Sequence, residues 1–111
     1  MATSSPNLSP LEREYDDACV ASVNECRGLG YDPKIFVRMM SEYGAREASR
    51  RLLRGPEIPQ GLYTLAEMIP PRLDLSLEAF IGDNPRFQAL FADEPRILAN
   101  CISRLQLLGY P

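Results

Sequence analysis

Apolar residues in this chain recur at intervals of three and four, yet no such run continues far before a proline or glycine interrupts it, and that alternation limits the folds available. The spacing is helical and gives each segment one face to bury. The interruptions, 10 prolines and 7 glycines in 111 residues, rule out the long uninterrupted helices of an up-and-down bundle. The expected architecture is therefore all-α, a compact irregular bundle of five to six helices with short middle elements.

The punctuation also places the boundaries. Residues 1–10 are rich in Ser, Pro, Thr and Asn and are expected to form a disordered tail, leaving residues 11–111 as a single helical domain. Leu11, Tyr15, Ala18, Cys19, Val23 and Cys26 mark the apolar face of a first helix, with Ser9 as N-cap and Pro10 in its first turn. After Gly28 and Gly30, Asp32 is the expected cap of a second helix beginning at Pro33, whose inward residues are Ile35, Phe36, Met39, Met40 and Tyr43. Gly44 stops it, and a third helix over residues 45–54 follows after a very tight turn. Thr64 and Glu67 have capping-box spacing ahead of a short helix reaching Ile69. Residues 72–77 alternate like a strand, but no partner strand is evident, so a helical reading leads into residues 76–81. Asn84-Pro85 opens a further turn or two, and Asp93 with Pro95 opens the last long helix, which ends at Gly109. No internal repeat of useful strength is evident.

Several chemistries are poorly supplied. The chain has no histidine, which removes the commonest general base and metal ligand. Cys19, Cys26 and Cys101 lack metal-site spacing and read as buried thiols of a reducing, cytoplasmic compartment. Cys19 and Cys26 lie two helical turns apart and cannot pair with each other, whereas a bridge from Cys101 to either is geometrically open. No stretch has the length and hydropathy of a membrane span, no leader sequence is evident, and neither a metal nor a cofactor is expected. The paired acids Asp16-Asp17 and Asp93-Glu94 read as solvated faces and caps. Glu78, set among Leu75, Leu77, Ala79, Phe80 and Ile81, reads as a buried or half-buried ion-pair carboxylate with Arg72 as candidate partner and Asp74 nearby. A carboxylate site around Glu78 is the enzymatic or ligand-binding alternative.

One feature is concentrated. Arg38, Arg46, Arg50, Arg51 and Arg54 stand against only Glu42 and Glu47, a local cationic stripe in a chain whose net charge is -3. Three readings are open: a solvated helix face steadied by Glu47, contact with an acidic protein patch, or phosphate contact in a loose helix-turn-helix. The acidic segment Glu12, Glu14, Asp16 and Asp17 is a candidate acidic patch, within the chain or across a dimer.

From Gly30 onward, Tyr31-Asp32-Pro33, Met39-Met40, Gly44, Ala48, Leu52-Leu53, Gly61, Leu65, the run 72–78, Phe87, Leu90-Phe91, Arg104-Leu105 and Gly109-Tyr110 resemble a family of small bacterial helical domains of uncharacterised function, seen alone or as the C-terminal part of larger proteins. Ala45 and Ala66 depart from the family pattern, which carries a second glycine and an aromatic residue there. The resemblance implies a cytoplasmic accessory or interaction module and names no substrate. The expected function is accordingly a non-enzymatic protein-interaction module with a protein partner or homodimer. Nucleic acid is the rival partner, and no membrane is expected.

Overall fold

A computed structural model describes residues 8–110; of the expected tail, residues 1–7 lie outside the described residues. Seven α-helices follow in order: α1 (Pro10–Gly28), α2 (Lys34–Tyr43), α3 (Ala45–Arg54), α4 (Gln60–Ala66), α5 (Leu77–Gly82), α6 (Pro85–Gln88) and α7 (Pro95–Leu107). Two 3-10 turns, Leu73–Leu75 and Ala89–Phe91, complete the described residues, which contain no strand. The molecule is the expected irregular all-α bundle, its middle divided more finely because Pro85 and Pro95 each restart the chain.

Local signals explain some helix starts and fail at others. At α1, Ser9 Oγ accepts from the Glu12 N–H (3.1 Å) and Glu12 reciprocates to the Ser9 N–H (3.2 Å), a complete capping box ahead of Pro10. Asn84 caps α6 by accepting from the Arg86 N–H at 3.1 Å. Asp32 and Asp93 do not cap their helices as expected: Asp32 pairs with Arg27 (3.0 Å) and Asp93 with Arg50 (3.1 Å), so α2 and α7 open without side-chain caps. The Thr64–Glu67 box does not form either. Thr64 lies inside α4, donating its hydroxyl to the Gln60 carbonyl at 3.2 Å, and the helix begins after the extended Pro59.

Both long helices end in the same way. Gly30 (φ 89°) follows α1 and Gly109 (φ 77°) follows α7, each in a Leu-Gly-Tyr sequence. The Tyr31 N–H donates to the Cys26 carbonyl and the Tyr110 N–H to that of Leu105, both at 2.9 Å, while each glycine N–H reaches the carbonyl three residues back. This is the Schellman closure, and it delivers both tyrosines to one place.

That place is a second apolar cluster. The main core draws Tyr15, Cys19, Val23, Met40, Ala48, Leu53, Ile81, Phe87, Phe91, Ile97 and Cys101 from six of the helices and the adjoining turn. The smaller one packs Cys26, Leu62, Leu65 and Leu73 beneath Tyr31 and Tyr110. At the centre of the main core Tyr15 meets Phe87 and Phe91 edge-on, with centroids 5.1 and 5.7 Å away, and its hydroxyl is satisfied by Ser49 Oγ at 2.7 Å. Full burial of such a side chain stabilises by roughly 1.5–3 kcal/mol. All three cysteines are buried free thiols, and burial pushes Cys101 up to about 12.

Candidate functional site

The α2–α3 hairpin carries the whole cationic stripe. Gly44 alone joins the two helices, at φ 82° and ψ 163°, a region essentially restricted to glycine. A one-residue link makes the helices turn sharply and sets the stripe on α3 against the rest of the molecule.

The stripe is paired with acids nearly throughout. Arg50, only 8 % exposed, holds Glu94 at 2.7 Å and Asp93 at 3.1 Å and lies 5.6 Å from the centre of the Phe91 ring. Arg54 makes two bonds to the same Glu94 carboxylate, each 2.9 Å. Glu94, clamped by Arg54 and Arg50, is held down at about 2. Arg46 donates to the Leu90 carbonyl (2.9 Å) and meets Glu12 at 3.4 Å. Burial raises Glu12, but its hydrogen bonds with Ser9 and the charge of Arg46 outweigh that and lower it. Arg51 pairs with Glu47 at 3.1 Å and lies 4.0 Å from the centre of the Tyr43 ring. Arg38 is the outlier: on α2, at the far side of the hairpin, it only grazes Glu42 at 3.8 Å, with both side chains more than half exposed.

The acid partners on α7's leading edge, Asp93 and Glu94, carry a signal that sequence reasoning assigned to capping. The segment 12–17 splits its roles: Glu12 meets Arg46, Glu14 meets Arg86 at 2.7 Å, and the Ala45 backbone at the start of α3 acts to lower Asp16. Burial nevertheless raises Asp16 above its ordinary value.

The carboxylate region is divided between two arginines. Glu78 does not meet Arg72; its counter-charge is Arg104, at 3.2 Å, with both residues 4 % exposed. Burial pushes Glu78 up against the opposing pull of Arg104. Arg72 pairs instead with Asp74 (3.0 Å) and with Glu25 of α1 (3.2 Å). The remaining Arg104 donors reach the carbonyls of Gly55 (2.6 Å) and Glu57 (2.9 Å), and Asn100 donates to that of Leu53 at 2.8 Å. Two α7 side chains thus satisfy carbonyls at and just beyond the end of α3, which a helix terminus leaves open. Sequence reasoning missed both. The only available signal was two polar residues, four apart, beside the apolar positions Ile97, Cys101 and Leu105. Among the described residues no buried side-chain polar atom lacks a partner, so Glu78 reads as an internal strut.

What the hairpin leaves open is apolar. Of the five residues expected to point inward from α2, only Met40 is buried; Ile35 is 64 % exposed and Tyr43 44 %. The five form two ridges at i, i+4 spacing, Phe36–Met40 and Ile35–Met39–Tyr43. The first faces the core; on the second, Met39 is half-buried and packs against the core as well, while Met39 and Tyr43 also border an open groove of about 600 Å³ lined by Arg38, Met39, Glu42, Tyr43 and Arg51. Among the described residues no group of His, Cys, Asp and Glu could hold a metal ion, and no helix is long and apolar enough to cross a membrane. No family model matches the chain, and no curated protein or solved structure matches it either.

Proposed function

We propose that the chain is a non-enzymatic protein-contact module of the bacterial cytoplasm, the setting that the family resemblance implies and that three buried free thiols support. Its contact face is the outer side of α2 with the groove beside α3. The observation that carries this reading is the apolar ridge Ile35–Met39–Tyr43, whose ends stand open to solvent on a helix that packs chiefly on α3. Exposed apolar surface rimmed by charge, here Arg38, Glu42 and Arg51, is the usual signature of a protein-binding surface. The acid pairing of Arg46, Arg50, Arg51 and Arg54 weighs against the phosphate reading, because each pair would have to be given up to bind a polyanion.

In-cell photo-crosslinking tests this. A photoreactive residue at position 35 should give a discrete crosslinked species, and one at Ser103, exposed on α7 and not on α2, should not. Equal, diffuse labelling from both positions would overturn the assignment of the face.

A further inference from the structure

The contact-face reading leaves the partner unnamed, and the charge order along α2 narrows it. Lys34 and Arg38 occupy the first half of the helix and Glu42 the second. Each is exposed, and Arg38 and Glu42 sit at the limit of ion-pair distance from each other, at 3.8 Å, rather than locked together. The exposed side of the helix is therefore basic at one end and acidic at the other, it carries Ile35, Tyr43 and the half-buried Met39, and Arg51 of α3 covers one side of the Tyr43 ring at 4.0 Å.

We infer that the occupant of this face is a second copy of the chain, its α2 laid antiparallel across the first about a two-fold axis at Met39. In an isologous pair, residues whose numbers sum to a constant face each other. A centre at Met39 brings Met39 against its own copy and Ile35 against Tyr43 of the other chain. On the flank of the ridge, the rise of about 1.5 Å per residue sets each Glu42 between Lys34 and Arg38 of the opposite copy. The antiparallel order thus converts a weak intrachain ion pair into a self-complementary set, while the three apolar residues supply the area. A ten-residue helix extends only about 15 Å, so the pair falls in the weak class below about 1,200 Å² of buried surface. It is a concentration-dependent dimer.

Sedimentation velocity on the whole protein over about 10 to 1,000 µM tests this, with circular dichroism confirming that every variant remains folded. The wild type should pass from monomer to dimer within the range. Arg38→Glu alone and Glu42→Arg alone should each weaken association at least about tenfold, since each places like charges across the axis. An equimolar mixture of the two variants should dimerise again, because opposite charges now meet across the axis. Dimerisation unaffected by either substitution, or no rescue on mixing, would overturn this arrangement. A protein that is monomeric throughout, yet crosslinks from position 35 to another polypeptide, overturns self-pairing and keeps the contact-face reading. A monomer without such a crosslink overturns both.

Discussion

Gly44 and Glu94 are the two residues on which the hairpin most depends, for different reasons. At φ 82° and ψ 163° Gly44 adopts a backbone that costs any other residue about 1–3 kcal/mol. Nothing lies within 4 Å of where its Cβ would be, so the penalty is conformational and not steric. Gly44→Ala should therefore lower the unfolding free energy by about that amount in urea titration, with the shape of the core unchanged. Glu94 works through charge. Its carboxyl is held at about 2, against an ordinary 4.5, by Arg54 and Arg50. A depressed acid contributes stability that is complete above its unfolded pKa and is lost as pH falls through the folded one. Glu94→Gln should thus be less stable than wild type at neutral pH, with a deficit that narrows as pH drops from 4.5 towards 2, read from denaturant midpoints across that range.

At the scale of elements, the join between α7 and the end of α3 is the most demanding contact. Arg104 bonds to Glu78 and to the carbonyls of Gly55 and Glu57 from a buried position. Arg104→Met would keep much of the volume but leave Glu78 buried without its counter-charge; a loss of about 3–5 kcal/mol is expected in equilibrium unfolding. Removing both charges in Arg104→Met/Glu78→Gln should recover part of that loss. This join also shows where the sequence is legible and where it is not. Ser9 and Asn84 cap the helices they precede because their partners lie two or three residues away. Asp32 and Asp93 have the same local signature, but Arg27 and Arg50 compete for their carboxylates, and for Asp93 the competitor lies 43 residues away. Glu78 is recognisable as a buried carboxylate from its apolar neighbours. Its partner is not, since Arg72 is near in sequence while Arg104, 26 residues on, is near in space. The arginine stripe could be read from spacing, but its paired state could not, because three of its acids, Glu12, Asp93 and Glu94, belong to other parts of the chain. The outward ridge of α2 was hidden by width: six apolar residues in ten positions look like one broad inner face until the number of packing neighbours is known.

For the whole molecule, the two Leu-Gly-Tyr endings explain why a small second cluster exists at all. Each stops a long helix and turns a tyrosine onto Leu62, Leu65 and Leu73, so the beginning and the end of the domain share one apolar floor while the main core lies elsewhere. The clamp from α7 works on a similar span. Asn100 and Arg104 complete a helix that ended some fifty residues earlier, and Glu94, just ahead of α7, neutralises the arginines on that same helix. During synthesis, then, α3 leaves the ribosome as a cationic segment without the donors for its terminal carbonyls, and it stays so until residues 94–104 have followed it. The native pairing of α3 consequently waits on α7 and is not set by the early appearance of the first helices.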